Sequence, residues 1–262
     1  MAEFWRSTAL PHLEARRSCQ ENRCYRPHTH DSFSVGAIDA GTSVLTGPLH
    51  GTIRLEPGDV VVIPSGHVHA CNPDGDRWRY QMVHLDQDWV ASLARWMRAS
   101  RLLDGVRVLR RPGLHQVVSA LTDAICTDAA PEPIEARLAV LFAELEAASP
   151  AHLVASEADP ELSARLSPVM HRLRHDESNP ALSELAGMIG MTKYQLVRAM
   201  RRATGLSPLA WRQNARIIQA RRMLRGGHPI AETAHALGFT DQSHFHRVFR
   251  AHVAASPGTY RG

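Results

Sequence analysis

The stretch from residue 230 to residue 261, IAETAHALGFTDQSHFHRVFRAHVAASPGTYR, restricts the possible folds of this chain more than any other. Ile230, Ala231, Ala234 and Leu237 recur at helical spacing and Gly238-Phe239 interrupts them. Thr240 is placed to cap a second helix whose apolar side carries Phe245, Val248 and Phe249. Two short helices joined through a glycine turn make a helix-turn-helix. The second helix keeps Gln242, Ser243, His246 and Arg247 on its other face, which are the hydrogen-bonding groups a recognition helix presents to base edges. An ordinary helical hairpin with a solvated polar face has the same periodicity, so the pattern needs support from the rest of the chain.

An internal repeat supplies it. Ala186, Ile189, Gly190 and Thr192 recur as Ala234, Leu237, Gly238 and Thr240, and with one added residue Leu196, Arg198, Met200 and Arg201 recur as Phe245, Arg247, Phe249 and Arg250. The spacing predicts two helix-turn-helix units in tandem. Between them Ser207-Pro208 opens a long helix, as an N-cap followed by proline, and Gly226-Gly227 stops it near residue 225. In the first unit Leu196, Met200 and Ala203 turn inward, which leaves Lys193, Tyr194, Val197 and Arg198 as candidates for base contact. Arg201, Arg202, Arg212, Arg216 and Arg250 are candidates for phosphate contact. A rigid linking helix would set the two units in successive major grooves of double-stranded DNA, roughly 34 Å apart.

The residues Gly238, Phe239, Asp241, Ser243, Phe245, Arg247, Phe249 and Arg250, with Ser256, Pro257, Tyr260 and Arg261, form the pattern GFxDxSxFxRxFR followed by SPxxYR. This resembles the signature of AraC/XylS-type transcription regulators. The resemblance covers the last hundred residues or so closely and implies base contacts at Tyr194, Val197, Arg198, Gln242, Ser243, His246 and Arg247. Val197 departs from the polar residue often found at its position in the family.

The net charge of +4 hides a split that fits this reading. Residues 161–262 carry 15 Arg or Lys against 6 Asp or Glu, +9, and the first 160 residues carry 15 against 20, −5. One half is built to face phosphates and the other is not.

From residue 17 to about residue 86 the chain alternates short extended segments with turn signals: FSVGAI, SVLTG, GTIRL, DVVVIPSG and RYQMVHL. This predicts a small antiparallel barrel or sandwich. Within it His28-Thr29-His30, and the run GDVVVIPSGHVH from Gly58 to His69, resemble the two motifs of the cupin fold. In metal-binding cupins the matching histidines share one ion with a glutamate that follows the first motif; here no glutamate follows His30 within ten residues. His28, His30 and His69, with Cys71 close by, could still hold zinc or another transition metal. They fit equally an organic effector pocket, or hydrogen bonding within the barrel wall.

Residues 87–98, 113–127 and 133–148 read as helices, the last with Ile134, Leu138, Leu141, Phe142 and Leu145 on one side. That stripe is expected to pair with a second copy, giving a homodimer, or else to cover the barrel. Residues 150–160 read as a linker. Cys19, Cys24, Cys71 and Cys126 form no metal-finger spacing, and residues 1–11 lack the features of a signal peptide, so a cytoplasmic location with free thiols is expected.

The expected architecture has two domains. A cupin-like effector barrel spans 1–86, a helical, dimer-forming segment 87–149, a linker 150–160, and an all-α DNA-binding domain with two helix-turn-helix units 161–262. The expected function is regulation of transcription, with partners in promoter DNA, a small-molecule or metal effector, a second copy of the chain and RNA polymerase, and no membrane. The alternatives are a metal-dependent cupin enzyme with an accessory helical domain, and a regulator whose barrel only dimerises. Against an enzyme stand the missing glutamate and the lack of a phosphate loop or nucleophile elbow.

Overall fold

The computed structural model describes residues 2–21, 25–47, 51–75, 77–97, 100–155, 159–176 and 179–262. Cys24 and part of the expected linker lie outside them. The first half contains β1 (Ala2–Arg6), β2 (Leu13–Gln20), β3 (Ser32–Ala40), β4 (Ser43–Thr46), β5 (Thr52–Leu55), β6 (Val60–Ile63), β7 (Ala70–Pro73) and β8 (Trp78–Asp86). After these come helix α1 (Gln87–Met97), strand β9 (Gly105–Leu109), helices α2 (Leu114–Cys126) and α3 (Pro131–Ala147), and strand β10 (His152–Ala155). A seven-stranded antiparallel sheet in the order β1-β2-β8-β3-β6-β9-β10 faces a three-stranded sheet β5-β4-β7. Ile38, Leu45, Leu55, Val61, Ile63, Trp78 and Val108 fill the space between the sheets.

Period-two alternation sends the other side chains of the large sheet to its outer face, where Leu13, Ala15, Phe33, Val35, Val83 and Leu85 meet α1, α2 and α3. Here the expectation for α3 is corrected. Ile134, Leu138, Leu141, Phe142 and Leu145 are all buried within this chain, packed with Phe33 and Val118, so the stripe covers the barrel and has no area left for a second copy. The segment expected to be a linker also contributes β10, which pairs with β9 at the sheet edge.

The second half holds α4 (Pro160–His175), α5 (Leu182–Gly187), α6 (Lys193–Thr204), α7 (Pro208–Arg225), α8 (Ile230–Ala236), α9 (Gln242–Val253) and α10 (Pro257–Arg261). The turns between α5 and α6 and between α8 and α9 use Gly190 and Gly238 at φ 64° and 66°, the left-handed conformation glycine adopts without steric cost. Thr192 caps α6 in a capping box with Gln195. The counterpart cap of α9 is Asp241, which accepts from the His244 amide; Thr240, the expected cap, is the added residue of the second unit. Trp211 near the start of α7 packs with Leu166, Leu196 and Met200 of the first unit. Ile217, Ala220 and Leu224 farther along pack with Phe245, Phe249 and Tyr260 of the second. Helix α7 is therefore the shared spine of both units. Strand β1 reaches this second cluster, with the Phe4 ring edge-on to Tyr260 at 4.9 Å. Among the described residues no helix is long and apolar enough to cross a membrane.

Candidate DNA interface and barrel cavity

Helix α6 exposes Lys193, Tyr194 and Arg198 and half-buries Val197, and α9 exposes Gln242, Ser243 and Arg247 and half-buries His246. The amphipathic pattern of each helix produces this: Leu196 and Met200, like Phe245 and Phe249, take the inner face. Tyr194 is 71% exposed, with only the Lys193 ammonium over its ring, so its apolar surface is open to a partner. Arg198 and Arg247 form no ion pair among the described residues.

The phosphate candidates divide. Arg201 and Arg250 are exposed, and Arg202 is exposed but paired with Asp159 at 2.8 Å. Arg216 is half-buried, donating to the Gly238 carbonyl and lying over Phe239. Arg212 is buried against the first unit and donates to the Asp176 carbonyl, so it holds α7 in place and is not available to a phosphate. Nothing in a helical repeat separates Arg212 from Arg216; only the packing around α7 does.

In the barrel, His28 and His69 face each other across an antiparallel bridge, each amide donating to the other's carbonyl. The rings of His28, His30 and His69 have centres 4.6 to 5.1 Å apart, and a donor nitrogen of each lies within 4.8 Å of the others. His28 Nδ1 bonds the Arg26 carbonyl and His69 Nδ1 the His67 carbonyl, which turns the Nε2 lone pairs away from the backbone. The sequence reading missed a fourth imidazole, His84 on β8. Strand register sets Glu14, His84 and Ser34 side by side across β2, β8 and β3, and the Ser34 hydroxyl bridges His84 Nδ1 at 2.8 Å and His30 Nδ1 at 2.9 Å. The signal was present in the alternation of Tyr80, Met82 and His84, which all point into the barrel.

Burial holds these imidazoles neutral. His28 and His30 lie well below the ordinary histidine value, first through desolvation and then through the neighbouring His69. Desolvation brings His69 down to about 4 and His84 to about 3. It also pushes the Cys71 thiol up to about 12, so Cys71 lines the cavity without offering a thiolate. The imidazole donors suit a transition metal in number and in outer-shell support, but among the described residues no carboxylate joins them.

The cavity, of about 50 Å³, is lined on one side by the second half of the chain: Asn214, Ile217, Ile218 and Arg221 of α7 and His252 and Val253 of α9 line it together with the histidines. The loop at residues 28–31 alternates. His28 and His30 turn inward, while Thr29 exchanges two hydrogen bonds with Asn214, at 3.0 and 2.7 Å, and Asp31 pairs with Arg222 at 2.8 Å. Beside it, buried Glu14 accepts from Arg221, Tyr260 and Arg6. Desolvation would raise its carboxyl, but Arg221, His84, Arg6 and Arg225 outweigh that and hold it at about 2.

Comparison with known proteins fits both halves. Residues 10–142 match the AraC-like ligand binding domain and residues 185–262 a helix-turn-helix domain. The chain belongs to the AraC family. It is a DNA-binding transcription regulator with an N-terminal ligand-binding domain, as the signature and the barrel motifs imply. It is similar to the uncharacterized HTH-type transcriptional regulator YbfI of Bacillus subtilis, 26% identical over 240 residues that cover 89% of this chain and 86% of that one. It is also similar to the arabinose operon regulatory protein of Escherichia coli, 26% identical over 78% of this chain and 72% of that protein. ToxT from Vibrio cholerae O395 is similar in fold over both halves, with a TM-score of 0.56 and 12% identity over 100% of this chain and 96% of that one.

Proposed function

We propose that this AraC-family regulator reads promoter DNA with α6 and α9 and senses its effector in the cavity at the junction of barrel and DNA-binding half. The carrying observation is that one cavity is walled by His28, His30 and His69 on one side and by α7 and α9 on the other. A ligand there touches the helix that spaces the two reading heads. Base contacts fall to Lys193, Tyr194, Val197, Arg198, Gln242, Ser243, His246 and Arg247, and phosphate contacts to Arg201, Arg202, Arg216 and Arg250. The reading includes a cytoplasmic homodimer, joined by a face other than the buried stripe of α3, that contacts RNA polymerase and catalyses no reaction. Genome-wide mapping of bound DNA supplies the promoter. On that promoter, affinity of the dimer should fall roughly ten-thousandfold between 50 and 200 mM salt if about four phosphates are neutralised by each protomer. Replacing His30 and His69 with alanine should abolish the response to effector while DNA affinity without effector is kept. A response that survives both substitutions places the sensor elsewhere.

A further inference from the structure

Arg16 on β2 is buried and lines the cavity. Its Nε donates to Ser18 Oγ at 2.8 Å, and its guanidinium lies 5.0 Å from the ring centre of Phe4, 5.5 Å from Tyr80 and 5.8 Å from Tyr25. One terminal nitrogen has no partner, and no carboxylate among the described residues pairs with this guanidinium. The acid nearest along the strand, Glu14, already has both oxygens engaged, one by Arg221 and the other by Arg6 and Tyr260. Two buried guanidinium groups thus line one cavity, and the buried Glu14 beside them pairs with Arg221 and not with Arg16. Burial alone would lower the Arg16 value, but Tyr25, Tyr80 and Glu14 outweigh it and keep the guanidinium charged, while one of its terminal nitrogens still lacks an acceptor.

The other features of the cavity agree. The Trp78 indole N–H is also buried without a partner, so both unsatisfied polar groups that line the space are donors and call for an acceptor. Strand register sets Arg16 level with Met82 and Gly36, whose bare backbone the flexible end of the Met82 side chain covers. A Cβ at Gly36 would sit 3.0 Å from Met82 Cε. Around this point Ile38, Val61, Ile63 and Ile217 are apolar. A dication at the three histidines would add charge of the sign that Arg16 and Arg221 already bring.

We propose that the effector is a small monocarboxylate with a compact apolar body, its oxygens bound by Arg16 and the Trp78 indole and its body lying beside Gly36 and Met82 against Ile38, Val61 and Ile63. This rests on the cavity being the sensor site. Arg16 is then the residue that selects an acid over its neutral amide.

The test is binding to the full chain, by calorimetry and thermal melting, of monocarboxylates from acetate to hexanoate, the matching amides, inorganic phosphate and Zn²⁺ alone. At least one carboxylate is expected to bind and to raise the melting temperature, with its amide at least tenfold weaker. Arg16→Met should erase that preference. Gly36→Val, which pushes Met82 into the cavity and leaves every charge in place, should weaken binding at least tenfold. The proposal is overturned if acid and amide bind alike, if no carboxylate binds, or if Arg16→Met keeps the preference for acid over amide. Zn²⁺ alone stabilising the original chain but not His69→Ala would make the effector a metal and leave the sensor location standing. An effector response untouched by Arg16→Met, Gly36→Val and His30→Ala alike would remove the location itself.

Discussion

Arg247 illustrates how much function rests on a side chain that the fold leaves alone. It is exposed on α9, forms no ion pair among the described residues, and stands on a helix fixed by Phe245 and Phe249 beneath it. A guanidinium held that way can meet guanine O6 and N7 with two parallel bonds. Arg247→Ala is expected to cost about 1–3 kcal/mol on the cognate site and to relax preference at one base pair only. Competition binding against single-base variants of the site reads this; an equal loss on every sequence would assign Arg247 to a phosphate. Arg212 has the same residue type and was read from the sequence as a phosphate contact, yet its burial against α4 gives it a structural task.

Among the elements, α3 and α7 carry the main consequences. Leu141 on α3 is fully buried among Phe33, Val118 and Phe142, so Leu141→Glu places a charge in a packed core. It should destabilise the barrel by about 4 kcal/mol or more, seen in urea denaturation, and not yield the folded monomer that a dimer seam would give. Val140 is 53% exposed on the same helix, so Val140→Glu should leave the fold and its urea midpoint nearly unchanged. Helix α7 meets the barrel through Asn214, whose amide takes one bond from the Thr29 amide and gives one to the Thr29 hydroxyl. Thr29 lies between the two inward histidines, so any ligand that displaces His28 or His30 pulls on α7. Coupling requires a ligand that interacts differently with two arrangements of such an element. Asn214→Ala should weaken this docking by about 1–3 kcal/mol and uncouple effector from promoter, leaving DNA affinity without effector nearly unchanged. Promoter assays with and without effector read the difference.

At the scale of the whole molecule, Glu14 joins the two halves through Arg221 and Tyr260. Its carboxyl is depressed from 4.5 to about 2, so its contribution is fully present above about pH 4.5 and is lost as pH falls toward 2. A shift of that size corresponds to about 3 kcal/mol. Glu14→Gln should therefore melt well below the original chain at pH 7, and the gap should close between about pH 4.5 and pH 2. Melting curves across that range decide it. A gap independent of pH would mean that Glu14 acts by shape and not by charge.

Much of this protein was legible in the order of its residues. The helix-turn-helix pair, its glycine turns, the long helix opened at Ser207 and the histidine motifs are all set within short windows, where periodicity, caps and turn chemistry act locally. The family signature spans the same kind of window. What adjoins across the chain was not legible: His84 beside Ser34 through strand register, β10 at the edge of the barrel, α3 folded back on its own sheet, and Arg16 left without an anion while Glu14 is taken by Arg221 from more than two hundred residues away. Local sequence determines which faces are apolar, charged or able to ligate. Only the packed structure decides which of those faces meet, because burial, and with it the energy of every charge in the cavity, depends on neighbours that are distant in the chain.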